Sequence, residues 1–183
     1  MSAGDVNTTG FENTFIGAYA NAAANNLTDA TAIGYNVHVD ASYHVRIGDM
    51  NVTQIGGQVA WSNLSDVRAK KDIRDIDSGM DFIKSLRPVE FRMKSGNDRI
   101  DFGFIAQDIE ALLGDGYNIL GIGGDADRSL SLRYTDFIAP MVKAMQEQQA
   151  IIEAQKENIE AQEEKINKLE ERLARLEASA SAK

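Results

Sequence analysis

The sequence predicts an α+β chain with a long C-terminal helix, assembled as a homotrimer from an intertwined β-stranded segment, a small α+β unit and a parallel trimeric coiled coil. Three observations predict it: an Ile-Gly pair returns four times within residues 1–64, the middle switches between strand-like and helix-like periods, and the end holds a heptad register through six a positions. Composition changes at the same places. Of the 15 Gly, seven lie in residues 1–64, eight in 65–136 and none beyond, and no aromatic residue lies beyond Phe137.

In the first segment the pairs occur as Thr14-Phe15-Ile16-Gly17, Thr31-Ala32-Ile33-Gly34, Val45-Arg46-Ile47-Gly48 and Thr53-Gln54-Ile55-Gly56. Short β-prone pieces closed by Gly and joined by Asn-, Asp- and Thr-rich connections predict stacked strands separated by turns. The spacings of 17, 14 and 8 residues make the repeat degenerate. With small apolar side chains and a single basic residue, Arg46, residues 1–64 have little core of their own and read as one third of a shared structure.

The middle segment, residues 65–136, opens on a charged stretch and then carries apolar residues at helical spacing over 78–86, stopping before Arg87-Pro88. Val89–Met93 and Ile100–Ile105 alternate as strands. Ala106–Leu113 reads as a helix ended by Gly114-Asp115-Gly116, and Leu130–Tyr134 as a strand. Gly121-Ile122-Gly123-Gly124-Asp125 lacks the Lys and Ser or Thr of a phosphate loop and reads as a hairpin tip.

Residues 137–183 form the coiled-coil segment. Position a is Ile138, Met145, Ile152, Ile159, Ile166 and Leu173; position d is Met141, Gln148, Gln155, Gln162, Leu169 and Leu176. No Gly or Pro follows Pro140, which a first helical turn tolerates. At 1.5 Å rise per residue, residues 138–176 make a rod about 58 Å long. Three successive Gln at d weaken a dimer core and pair around a three-fold axis, and Lys165 with Glu170 and Arg172 with Glu177 fit g-to-e contacts of parallel chains.

Nineteen Lys and Arg against 28 Asp and Glu leave a net charge of -9, divided as -4 over 1–64, -3 over 65–140 and -2 over 141–183. No segment is basic, so sequence-blind nucleic-acid binding is excluded. The absence of cysteine removes disulfides, thiolate zinc sites and cysteine nucleophiles. No apolar run reaches the roughly 20 residues of a membrane span, and the start has no basic region followed by an apolar stretch; a soluble, cytosolic start without membrane insertion is expected. His38, Asp40 and His44 alternate on a Gly-rich segment, a pattern of solvent-facing side chains; neither a metal nor a cofactor is expected.

Asn13–Ala20 and Ala30–Gly34 are similar to the head repeats of trimeric autotransporter adhesins and to phage tail-fibre ends, which implies three chains wrapped around one axis. A second resemblance covers about residues 62–176. Ser65-Asp66-Val67-Arg68-Ala69-Lys70 fits the Ser-Asp-x-Arg-x-Lys signature of the endosialidase-type intramolecular chaperone, the self-cleaving C-terminal domain of phage tailspikes and tail fibres. Leu86-Arg87-Pro88-Val89, Gly103-Phe104-Ile105-Ala106-Gln107-Asp108 and Leu132-Arg133-Tyr134-Thr135-Asp136 follow in that family's order, with Asp108 where many relatives have Glu.

The second resemblance implies a domain that trimerises, folds the fibre upstream of it in the same polypeptide, and cuts the Leu64-Ser65 bond, with Ser65 as nucleophile and Lys70 as its partner. It also implies assembly with two identical chains in a host cytoplasm, with the parent protein in a virion tail fibre or on a cell surface. A serine hydroxyl beside its own preceding carbonyl gives an ester by an N-to-O acyl shift, and a lysine acts as base once burial or positive neighbours favour its neutral form. Arg68 and Lys71 are the candidate positive neighbours and Asp66 opposes them. Five residues apart, Ser65 and Lys70 do not meet on a regular helix or strand, so the segment is irregular or Lys70 comes from a neighbouring chain. Trp61, four residues before Ser65, is expected to pack the junction. The competing reading is a non-cleaving trimeric surface adhesin in which the coiled coil is a permanent stalk.

Overall fold

The computed structural model describes residues 2–77, 79–95 and 97–181. Met1, Ser78, Gly96, Ala182 and Lys183, which belong to segments assigned above, lie outside the described residues. The chain is α+β with a long C-terminal helix, and it forms two compact units: Met1–Arg74 with Leu86–Asp136, and Asp75–Ser85 with Phe137–Lys183.

In the first unit the Ile-Gly repeats stack. Strands β1 (Thr14–Ile16), β3 (Thr31–Ile33) and β5 (Val45–Ile47) pair in parallel and in register, Thr14 with Thr31 with Val45 and Ile16 with Ile33 with Ile47. Between them β2 (Asn21–Ala22) and β4 (His38–Val39) make a second parallel pair. Left-handed backbone explains the turn chemistry: Glu12, Asp29 and Tyr43 take positive φ just before each outer strand, and Gly17, Gly34 and Gly48 take it just after. A β-carbon on Gly17 would land on the Gly34 carbonyl, so the coils stack this closely only with glycine there.

Ala20, Ala22, Leu27, Ala30, Ala32, Val37 and Val39 form the buried core between the two short sheets, with Phe15 packed against it. Alanine dominates because the facing backbones are too near for larger side chains. The amino-terminal end of the stack is closed by residues 2–10: the Gly4 N–H donates to the Ala20 carbonyl at 2.9 Å, and the Thr8 and Thr9 N–H groups to the Asn25 carbonyl at 3.0 and 2.9 Å. The fourth pair departs from expectation, for Thr53-Gln54-Ile55-Gly56 forms no strand and is exposed. Its physical reason is length. Only residues 48–52 separate it from β5, whereas a parallel neighbour requires a crossover of about a dozen residues.

Farther along, β6 (Val89–Phe91) and β7 (Asp101–Gly103) form an antiparallel pair. Helix α1 (Gly79–Ser85) precedes them, and α2 (Ala106–Leu113) follows, ending where Gly114 takes φ 67. Strands β8 (Leu120–Ile122) and β9 (Leu130–Leu132) make a hairpin whose tip carries Gly123 and Gly124. The strand expected over 130–134 stops at Leu132, because Tyr134–Phe137 wind into a 3-10 turn closed by the Asp136 N–H on the Arg133 carbonyl. Ile109, Ile119 and Leu120 are the buried apolar residues here.

The second unit is α1 against α3 (Ile138–Ser181, 44 residues). Gly79 lies so close to Pro140 and Ala144 that a β-carbon would strike their backbone atoms, and Phe82 stacks on Phe137 with ring centroids 6.2 Å apart. Glu147 reaches from α3 to the start of α1, accepting the Met80 N–H at 2.7 Å and the Gly79 N–H at 3.3 Å. A carboxylate placed there satisfies otherwise unpaired helix-start donors and meets the positive end of the helix dipole.

Candidate functional site

The Ser65–Lys70 segment is irregular in a defined way. Val67–Ala69 make one 3-10 turn between extended residues, Asp66 at φ -63 and ψ 134 and Lys70 at φ -113 and ψ 149. Asp66 caps that turn: its Oδ1 accepts the Arg68 N–H at 2.8 Å, and its two oxygens accept Arg68 Nε at 3.0 and 3.1 Å and Nη2 at 2.6 Å. A single turn between two extended flanks folds the chain back on itself. Lys70 Nζ therefore donates to Ser65 Oγ at 2.8 Å within one chain.

Electrostatics divides the candidate supporting residues. The Arg68 side chain and backbone N–H beside Asp66 hold that carboxyl below the usual range, and Asp66 in turn raises the Arg68 guanidinium. The pair is close to neutral, so Arg68 contributes little net positive field at Lys70. Lys71 makes no hydrogen bond or ion pair among the described residues. Around the dyad the surface is open, with two apolar side chains, Leu64 at 81% and Val67 at 68% exposure, among charged neighbours. Trp61 is 82% exposed and does not pack the junction, since nothing among the described residues of the single chain covers it.

Three stretches distant in sequence are drawn together in the same unit. Arg87 pairs with Asp108 in the first turn of α2, Nη2 at 2.7 Å and Nε at 2.9 Å from Oδ2, which gives the unusual carboxylate a place. Tyr134 stacks on Phe104 with centroids 6.2 Å apart, and its hydroxyl accepts the Phe104 N–H at 3.2 Å. A β-carbon on Gly103 would strike that hydroxyl. Arg128 ties the β8–β9 hairpin to α2 through Glu110 at 2.6 Å. These long-range pairs carry no local signal in the sequence.

The histidines are where alternation places them. His38 is exposed between buried Val37 and Val39, and His44 Nδ1 lies 3.2 Å from Asp40 Oδ1 while Arg46 Nη2 lies 3.3 Å from Oδ2. No cluster of three or more potential metal ligands occurs among the described residues, and none of their helices is long and apolar enough to cross a membrane.

Residues 65–116 match the family model described as chaperone of endosialidase, a peptidase family. The match supports an endosialidase-type chaperone domain over that stretch, a family whose name implies a peptidase-type chaperone. The match begins on Ser65, the residue that Lys70 contacts. No curated protein matches the chain.

Proposed function

We propose that the chain is a trimeric folding module in which residues 65–136 act as the chaperone and autoprotease, residues 137–183 hold three copies together, and residues 1–64 are the end of the fibre they fold. The observation that carries the chemistry is the 2.8 Å contact from Lys70 Nζ to Ser65 Oγ at the start of the chaperone domain. Ser65 Oγ attacks the Leu64 carbonyl carbon while the neutral Lys70 amine takes the hydroxyl proton. The Leu64–Ser65 C–N bond breaks, the proton passes to the departing Ser65 amine, and Leu64 is left as an ester on Oγ. Water then hydrolyses the ester to a Leu64 carboxylate and a free hydroxyl, so each chain cuts once.

In the exposed arrangement the lysine is the hydrogen-bond donor, and its work as a base requires the opposite polarity. Cover by neighbouring chains supplies that change, because desolvation favours the neutral amine. The same cover accounts for α3. Helix α1 packs on Pro140, Ala144 and Glu147, off the heptad seam, and leaves Met145 at 69%, Ile159 at 55% and Leu173 at 57% exposure. Full burial of an exposed side chain of this kind contributes about 1.5–3 kcal/mol, and these, a little over half exposed, would contribute roughly half of that each. A parallel trimer does so along the whole helix while sharing the three Gln of the d positions around the axis.

A denaturing gel tests the reading. The folded wild-type chain should resolve into pieces of about 13 and 7 kDa, scaled from the chain mass, and Ser65→Ala should run at full length. An intact wild-type chain after folding sinks the protease and leaves a permanent stalk as the better account.

A further inference from the structure

We propose that the fourth Ile-Gly repeat is a donated strand: Thr53–Ile55 of one chain pairs, parallel and in the register of the first three repeats, with the open edge of β5 in the neighbouring copy. The proposal rests on the trimeric reading above. It starts from an asymmetry in the stack of coils. The amino-terminal end is closed by residues 2–10, whereas β5 is last in the order β1-β3-β5 and is paired on one side.

Residues of a parallel strand serve its two sides alternately. The Thr31 N–H donates to the His44 carbonyl and the Gly48 N–H to the Ile33 carbonyl, both at 2.9 Å, so His44, Arg46 and Gly48 serve β3. Val45 and Ile47 direct their N–H and C=O groups the other way, where nothing among the described residues receives them. An edge of this kind is a template for another strand. Solenoids also need their ends covered.

The chain contains a segment of the required kind. Thr53-Gln54-Ile55-Gly56 repeats the Thr-x-Ile-Gly of Thr31-Ala32-Ile33-Gly34 and would extend the outward row Ile16, Ile33 and Ile47 by Ile55, itself 58% exposed. Its own β5 is beyond its reach as a parallel neighbour. The outer strands are joined through residues 17–30 and 34–44, but only 48–52 lead to Thr53, against the dozen or so that a parallel crossover takes. A neighbouring copy removes this restriction. If each chain passes its fourth repeat to the next, the exchange closes on itself after three steps and no β5 edge is left open.

The absence of cysteine makes cross-linking decisive. The full chain carrying Val45→Cys and Thr53→Cys, which the proposed register places side by side, is oxidised and run without reductant, and its mass in solution is measured by light scattering. Disulfide-linked dimers and trimers of the species that contains residues 1–64, collapsing on reduction, are expected; Ile47→Cys with Ile55→Cys should behave alike. A trimer by mass in which both pairs close within single chains, or not at all, overturns strand donation and leaves the trimeric reading standing. A monomeric wild-type chain ends both. Amide hydrogen exchange on the unsubstituted chain needs no variant to fold: protection at Val45, Ile47 and Thr53–Ile55 in the trimer is expected, and coil-like exchange at 53–55 overturns the proposal.

Discussion

At the scale of single residues, the functional geometry depends on one capped turn. Asp66 holds Val67–Ala69 in a 3-10 turn, and the turn sets Lys70 on Ser65. Lys70→Ala should leave assembly intact and slow cleavage by about 10²–10⁴-fold, the usual contribution of a positioned base; the appearance of the smaller fragment with time measures it. Cleavage at the wild-type rate would transfer the base role to Lys71 or water. A second residue-scale prediction concerns acid. Burial alone would raise the Asp40 carboxyl, but hydrogen bonds from His44, its own backbone and Arg46, together with the Arg46 charge, outweigh that and hold it below the ordinary 3.8. A folded-state value below the unfolded one means stability present above pH 3.8 and lost as pH falls through the lowered value. Acid unfolding of residues 1–64, followed by circular dichroism, should therefore steepen below that point. Asp40→Asn should be less stable at neutral pH and should lose this part of the acid transition.

At the scale of elements, α1 is a seven-residue helix, too short to persist alone, and it depends on α3. Glu147→Ala removes the acceptor of the Met80 and Gly79 N–H groups and should cost about 1 kcal/mol, as a lost cap does. A lower denaturant midpoint with an unchanged slope checks it; Glu147→Gln, which keeps an acceptor, should recover part of the loss. This pair also marks what the sequence made legible. Local periods were readable: α2 spans 106–113 as expected because Gly114 stops it, and α3 runs as one helix over Ile138–Ser181, the segment that carries the heptads. Long-range partners were not readable. Nothing near Glu147 in sequence points to α1, and nothing near Gly103 points to the Tyr134 hydroxyl that requires a glycine there. The Ser65–Lys70 contact escaped regular-element geometry because a capped 3-10 turn obeys neither the helical nor the strand period. The fourth Ile-Gly pair looked like a strand because composition repeats there, while the length of the preceding connection decides whether it stacks.

At the scale of the whole molecule, the proposed function makes assembly and cleavage one dependent sequence. The dyad distance is already short in a single chain, so geometry alone does not make cutting wait for the trimer. In the proposed trimer the wait comes instead from cover by neighbouring chains over Leu64 and Val67, both exposed in the single chain, because a charged group shut away from water is disfavoured. The proposed order would protect the fibre: a chaperone released before its client has closed would leave open strand edges, whereas one released afterwards would leave a product trapped by its interchain contacts. Ile152→Asp with Ile159→Asp places charges at two a positions of the proposed three-fold seam, about 80–90 residues after Lys70 in sequence. The double variant should be monomeric by light scattering and should remain uncut although Ser65 and Lys70 are untouched. A monomer that cuts at the wild-type rate near neutral pH would show that the capped turn alone activates the serine, and that the coiled coil acts on folding without timing the cut.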